Sequence, residues 1–357
     1  MKLLKDILYG ARLEEVNGST NLAVEDICLD SREVGKYSVF VAIKGTQTDG
    51  HEFIASAIER GAVAIVCEEM PEAQKEGVTY VRVNSTPAAL GIIASNFYDE
   101  PSEKIHLVGV TGTNGKTTVA TLLFRLFREL GYECGLISTV ENRIGNEVIP
   151  STHTTPDAVG LNRLLNEMVE RGCEFCFMEV SSHAVHQERI SGLKFKGAIF
   201  TNISHDHLDY HGTFENYMAA KKGFFDRLTH GSFALYNKDD YHWEELASDT
   251  RGFVRTFGIH SPADFKAKVL ENQFSGLQLN IDGRDLWSQL IGGFNAYNIL
   301  AVYGAAMCLD MDQVEVLTAI SQLNAPEGRF QYVKTPDNIT AVVDYAHTPD
   351  ALKNVLN

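Results

Sequence analysis

The stretch that most constrains this chain is IHLVGVTGTNGKTT, Ile105–Thr118. It opens with a continuous apolar run, the composition of a parallel strand buried on both faces. A glycine loop follows, and then TTVATLLFRLFRELG, which is apolar on one face and stopped by Gly131. Strand, glycine loop and helix stand in the order of a phosphate-binding loop, where free backbone N–H groups and the helix dipole favour an anion. The usual pattern is G-x-x-x-x-G-K-[ST]. Gly115, Lys116 and Thr117 satisfy it, but Val110 holds the first glycine's place and the nearest loop glycine is Gly112. A glycine turn with a solvated lysine is the plain alternative. The flanking strand and helix favour a variant loop in which Lys116 neutralises β- and γ-phosphate charge and the Thr117 hydroxyl holds Mg²⁺.

The surrounding pattern is α/β throughout. In the first hundred residues short strands (VFVAI, AVAIVC, VTYVRV) alternate with helical stretches (HEFIASAIERG, TPAALGIIASNFYDE). After Pro101 the pattern resets, and strand and helix alternate again: CGLIST, DAVGLNRLLNEMVERG, CEFCFMEV, FKGAIFTNI, FENYMAAKKGFFDRL. Residues 232–290 read as mainly strand, and NAYNILAVYGAAMCLDM returns to helix. At the end, ITAVVDYAH and TPDALKNVLN open a further α/β unit without room to close a core. For 357 residues two or three domains are expected. The reading is a small N-terminal α/β domain over 1–101, a central parallel-sheet ATPase domain over 102–330, and the start of a truncated third α/β domain over 331–357.

The net charge of −16 argues against a nucleic-acid surface or an anionic membrane, both of which need basic patches. It does not exclude small anionic substrates held by local basic groups. No segment reads as a membrane span, and Asp6 interrupts MKLLKDILYG before a signal-peptide core can form. A cytoplasmic, monomeric protein is expected. Cys173 and Cys176 make the one C-x-x-C among six cysteines, with no second pair, so buried strand thiols are expected in place of a zinc knuckle.

Four further features could carry chemistry. Glu179 ends an apolar strand in FMEVSSH, where an unpaired buried carboxylate would cost several kcal/mol, so it needs an ion pair or a metal. HDHLDYH, His205–His211, comes near the H-x-H-x-D-H of binuclear hydrolases but carries one residue too many before the last histidine. One histidine is expected on Mg²⁺ and the others in hydrogen bonds. Helical spacing puts Phe214, Tyr217, Lys221, Phe224 and Leu228 on one face, with Lys222 pointing elsewhere. A lysine in such a stripe either snorkels out or is desolvated with a lowered pKa, and the residues alone favour snorkelling. A neutral amine there could combine with CO₂ as a carbamate. Asn295 and Asn298 stand three apart at a helix start, where they could cap it or read an adenine edge.

Taken together, the segments LDSREV, VFVAIKGTQTDGHEF, GVTGTNGKTT, STHTTPD, MEVSSHAVHQERI, FTNISHDHLDYHGTFENYMAAK, GGFNAYNILA, PEGRF and VVDYAHTPDAL resemble the Mur ligases, most closely the MurE type. That type comprises the UDP-N-acetylmuramoyl-L-alanyl-D-glutamate:amino acid ligases. The resemblance covers nearly the whole chain and includes the T-G-T-N-G-K-T loop, so Val110 is no defect. It implies ATP on Gly112, Thr113, Asn114, Gly115, Lys116, Thr117 and Thr118. It also implies two Mg²⁺ ions with Thr117, Glu179, His207 and a carbamylated Lys221 as ligands, against the snorkelling reading. Lys116, Glu179, His207 and Lys221 would be the catalytic set. Asn295 and Asn298 would sit near adenine, with Arg329 and Asp344 near ribose or phosphates. Ser31, Arg32 and Gln47 would meet the UDP end, and Thr154, Thr155, Ser181, Gln187 and Arg189 the muramoyl-peptide.

The implied reaction is ligation of a third amino acid, meso-diaminopimelate before L-lysine, to the UDP-linked muramoyl dipeptide through an acyl phosphate, in peptidoglycan synthesis. The family's selectivity motif lies in its third domain, so the added amino acid is not legible here and activity of the chain as it stands is an open expectation. Folylpolyglutamate-type ligases share the loop, but SREV…TQTDG and SSHAVHQER favour the muramoyl substrate. A nucleotide-binding module without ligase activity is the alternative from another class.

Overall fold

The computed structural model describes residues 1–45, 48–150, 154–334, 340–347 and 349–356. Two compact units emerge. The first gathers Met1–Lys104 with two later pieces, Pro156–Glu167 and His186–Leu193. The second comprises Ile105–Thr155, Met168–Val185 and Lys194–Asn357.

The first unit is built on a five-stranded sheet. Its order is Leu13–Asn17, Thr79–Val83, Ala62–Cys67, Ser38–Val41 and Asp26–Cys28. All neighbours are parallel except the first pair. AVAIVC and SVFV are buried along most of their length, as β-branched runs between two helical layers must be. The helix Thr86–Phe97 is capped by the Ser85 side chain, which accepts from Ala88 N–H, and has Pro87 in its first turn. This helix binds the distant piece His186–Leu193 tightly: a Cβ on Gly91 would lie 2.3 Å from Ser191 O.

In the second unit a long sheet runs through eleven strands among the described residues. Its parallel centre has the order Cys134–Ile137, Phe175–Glu179, His106–Thr111, Gly197–Phe200, Phe233–Asn237 and Phe253–Gly258. A hairpin, Asn142–Ile144 with Glu147–Ile149, extends one edge. Phe265–Gln273, which joins parallel to Phe253–Gly258, and the antiparallel strands Gly276–Ile281 and Arg284–Ser288 extend the other.

The loop helix Lys116–Glu129 and the helix Phe294–Cys308 pack side by side on this sheet. Val119, Leu122, Leu123, Leu126 and Phe127 share one core with Leu136, Phe177, Ile299, Leu300 and Tyr303. Each large apolar side chain buried there contributes about 1.5–3 kcal/mol, so the helix start is held on a rigid base. Beyond it, Gln331–Lys334 pairs with Thr340–Val343, and a last helix runs Pro349–Leu356. Cys176 is buried in its strand, Cys173 is buried two residues before it, and all six thiols are free. No helix among the described residues is long and apolar enough to cross a membrane.

Candidate active site

The loop strand His106–Thr111 has parallel neighbours on both sides, so three adjacent strands end together around the loop. Ligands of open parallel sheets gather at that carboxyl edge. From one neighbour comes Glu179, and just beyond the other come Thr201 and Asn202.

Asn202 fixes the loop. Its carbonyl accepts from Thr113 N–H at 2.8 Å, and its side-chain oxygen accepts from Asn114 N–H at 3.0 Å. Asn202 Nδ2 and the Thr201 hydroxyl both donate to Asn114 O, at 3.1 and 2.6 Å. Sequence reasoning misses Thr201 and Asn202, because their part depends on which strand lies beside the loop strand. Thr113 is tied down further by a hydroxyl contact of 3.0 Å with Tyr217.

Gly112 accepts this crowding because it has no side chain. Its φ is +151°, and a Cβ would sit 1.9 Å from the Thr201 hydroxyl. Gly112→Ala therefore combines backbone strain with overpacking, an expected loss of about 2–5 kcal/mol in stability and of nucleotide affinity. Gly131, with φ +92° and open space around its Cβ position, is the control and should lose only about 1 kcal/mol. Denaturant unfolding of the two variants checks the contrast, and equal losses would remove the close approach from the account.

At the helix start Gly115 is the cap, with φ +87° and no side-chain hydrogen bond. Lys116 folds across the loop, its Nζ donating to Gly112 O at 3.0 Å and Thr113 O at 2.8 Å. Burial lowers its pKa, Glu179 and Asp206 oppose that, and the Arg329 charge adds to it. The Thr117 hydroxyl accepts from Arg329 Nη2 at 3.0 Å. Thr118 is buried one residue further on.

Glu179 is almost fully buried. Thr139 N–H donates to its Oε1 at 2.7 Å, while Oε2 is buried without a hydrogen-bond partner. No ion pair satisfies it among the described residues. An acceptor-only oxygen in that position suits a cation. His207, in the left-handed region at φ +52°, is partly exposed, and its Nε2 lies 3.5 Å from Asp206 Oδ2. Burial lowers its pKa, with Asp206 opposing and Lys116 and Lys221 reinforcing. The neutral ring is the ligating form.

Lys221 does not snorkel. Its side chain is 1% exposed, its Nζ donates to Gly112 O at 2.7 Å, and the Tyr217 ring centroid lies 4.5 Å away. Its helix, Phe214–Asp226, brings the buried amine against the loop backbone at Gly112. Burial first, then the Lys116 charge, push its pKa well below the lysine range, with Asp206 opposing. Lys222 points away to Asp226 and Asp249, as its spacing predicts.

The histidines divide their roles. His211 is buried and shares a 3.0 Å contact with the Ser182 hydroxyl, and His205 stacks on Phe214. No group of three or more His, Cys, Asp or Glu side chains suited to a metal occurs among the described residues.

Neither asparagine caps its helix, contrary to that reading. The helix begins at Phe294 with Gly293 as cap, so both asparagines lie inside the first turns, where positions three apart face each other. Asn295 Nδ2 donates to Ile291 O at 2.8 Å, and Asn298 Nδ2 donates to Asn295 Oδ1 at 2.8 Å. Asn298 Oδ1 sits where a Gly115 Cβ would be only 2.7 Å away, which brings the pair to the loop.

Asp344 accepts from Phe330 and Ala346 N–H groups, both at 2.7 Å. Thr155 donates to Glu179 O at 2.9 Å, Thr154 accepts from Thr139 at 3.1 Å, and Ser181 caps the short helix Ser182–His186. Asp344, Thr154, Thr155 and Ser181 belong to the second unit. Ser31, Arg32, Gln187 and Arg189 belong to the first. There Ser31 is buried, Arg32 is exposed against Asp30, and Arg189 donates to Gln187 Oε1 at 2.9 and 2.6 Å. Gln47 lies outside the described residues.

Comparison with known proteins places the chain. Residues 110–306, more than half of it, match the Mur ligase middle domain, and residues 23–98 match the Mur ligase family, catalytic domain. The chain belongs to the Mur ligase family. A UDP-N-acetylmuramoyl-L-alanyl-D-glutamate--2,6-diaminopimelate ligase of Cytophaga hutchinsonii is 54% identical over 354 residues, covering 99% of this chain and 73% of that protein. The ligase of the same name from Phocaeicola vulgatus is 53% identical over 357 residues, 100% of this chain and 74% of its own length. Among solved structures, one of a ligase with that name superposes with a TM-score of 0.82 at 28% identity, over 96% of this chain and 71% of the other. The α/β reading and the Mur ligase resemblance are thereby established.

Proposed function

We propose that this chain is an ATP-dependent ligase that joins meso-diaminopimelate, in preference to L-lysine, to the D-glutamate carboxylate of UDP-N-acetylmuramoyl-L-alanyl-D-glutamate in peptidoglycan synthesis. The observation that carries this reading is the 54% identity, over nearly the whole chain, to a diaminopimelate ligase. In this reading residues 1–101 serve the UDP end through Ser31, Arg32 and Gln47. Residues 102–330 serve ATP, and residues 331–357 open a further unit. Thr154, Thr155, Ser181, Gln187 and Arg189 hold the muramoyl-peptide. Asn295 and Asn298 flank adenine, and Arg329 and Asp344 meet ribose or phosphates. A cytoplasmic monomer fits the soluble substrates.

A carboxylate is a poor acyl donor because its leaving group would be oxide. Transfer of the ATP γ-phosphoryl to it gives an acyl phosphate, which the amino acid's amine attacks, forming the amide and releasing phosphate. Lys116 and the free N–H groups of the helix start neutralise charge where two anions must meet. Asn202 and Thr201 keep the loop rigid, so that most of the catalysis is positioning.

Thr117, Glu179, His207 and a carbamylated Lys221 would hold two Mg²⁺ ions, which supply charge neutralisation for phosphoryl transfer. Support comes from the unpartnered Glu179 Oε2, the neutral His207 ring and the depressed Lys221 amine. Carbamylation forms a C–N bond between that amine and CO₂ and releases one proton.

The test is ADP release by the protein with the UDP-linked dipeptide and Mg²⁺, offering meso-diaminopimelate or L-lysine. Release that depends on meso-diaminopimelate is expected. Turnover with a folate and glutamate instead would favour a folylpolyglutamate-type ligase. Nucleotide binding without amine-dependent turnover would reduce the chain to a binding module.

A further inference from the structure

We infer that Arg125 is a positioning residue: it fixes the segment 324–329 along the loop helix and thereby sets Arg329 against Thr117. This rests on the ATP-binding reading above.

Arg125 and Thr117 stand on the same helix, eight residues or about 12 Å apart along its axis. At the far end Arg125 Nη1 donates to Asn324 O at 2.9 Å and Ala325 O at 3.4 Å. These carbonyls follow the helix Gln313–Gln322, in a stretch with no ladder or helix to satisfy them. At the near end Arg329 Nη2 reaches the Thr117 hydroxyl at 3.0 Å, and Arg329 N–H closes a turn on Pro326 O. The segment is thus held to one helix at two places.

Two observations set Arg125 apart from an ordinary surface arginine. Neighbouring Arg128 and Arg143 are paired with Glu133 and Glu141, whereas among the described residues no carboxylate forms an ion pair with Arg125. Its partners are the two carbonyls. It also borders a cavity of about 460 Å³, lined as well by Phe124, Arg143 and Gln322, so packing does not force it toward them. Burial and the Arg143 charge lower its pKa, yet a guanidinium stays protonated, and its donors need acceptors.

The hold on Arg329 itself is slight. One hydrogen bond reaches Thr117, the guanidinium lies 5.0 Å from the Tyr345 ring, and its Nε is buried without a partner. Its placement therefore depends on the backbone behind it. Leu323 and Phe330 anchor the segment's ends by packing, and Arg125 fixes the direction of the peptide groups between.

Arg125→Met keeps the length of the side chain and removes its donors, and Arg125→Lys restores one charged donor. In nucleotide-free protein, amide exchange at Gly328, Arg329 and Phe330 should quicken about tenfold in Arg125→Met, as expected for loss of a charge-assisted hydrogen bond, and recover in part in Arg125→Lys. The ATP dissociation constant should rise about fivefold or more in Arg125→Met and in Arg329→Ala, and the double variant should bind no worse than Arg329→Ala alone. Unchanged exchange would overturn the clamp. Additive losses of ATP affinity would show that Arg125 acts independently of Arg329 and overturn the positioning role. If exchange responds while the unaltered protein binds no ATP, the nucleotide reading fails and Arg125 is a structural tie only.

Discussion

Lys116→Ala is expected to abolish ATP-dependent turnover and leave the fold intact. The helix that Lys116 opens is held in the apolar core by Val119, Leu122, Leu123, Leu126 and Phe127. Its Nζ sits over the loop between Gly112 O and Thr113 O, where a phosphate-binding loop carries its charge. Removing a charge that acts on the transferring phosphoryl should raise the barrier by about 4 kcal/mol, roughly a thousandfold in rate. Phosphate release measures the loss, and an unchanged circular dichroism spectrum separates it from unfolding. Near-normal turnover would withdraw the phosphate-loop assignment and the ATP chemistry that depends on it.

What the sequence made legible was the local part of this design. IHLVGV, the glycine loop and the helix after it follow from composition and spacing, because a buried parallel strand and an amphipathic helix are written in neighbouring residues. Lys116 and Thr117 are found the same way. Glu179 was recognisable as a carboxylate at the end of an apolar strand, though its unpartnered Oε2 needed the structure.

The contribution of Thr201 and Asn202 was not legible. They act because their strand lies next to the loop strand, and strand order is a long-range property. The hairpin Asn142–Ile144 with Glu147–Ile149 is similarly too short to stand out. For Lys221, periodicity gave the correct face but could not tell how deep that face lies, which is what separates snorkelling from burial. The asparagines failed as caps because the helix boundary lies earlier: Gly293 caps a helix that starts at Phe294, and the pair turns inward toward the loop.

Lys221→Ala should be as damaging as Lys116→Ala, but for a different reason. The amine is buried beneath the loop with Gly112 O as its hydrogen-bond acceptor and an aromatic ring beside it. A depressed pKa means that the unfolded chain binds a proton there which the folded protein gives up. Between the folded pKa and the ordinary lysine range, stability therefore rises with pH. The same depression raises the share of unprotonated amine available to CO₂, and the carbamate would put an anionic oxygen ligand in place of the amine. Truncation to alanine removes that ligand along with the amine, and turnover should fall by roughly a thousandfold, of the order seen when a charge-stabilising group is lost. Small added carboxylates should restore part of it by supplying the missing oxygens. A carbon-13 carbamate resonance, present in the protein under labelled bicarbonate and absent in Lys221→Ala, provides a second readout. An unmodified amine with Mg²⁺ and bicarbonate present, together with no response to carboxylates, would reduce Lys221 to a structural donor to Gly112 O.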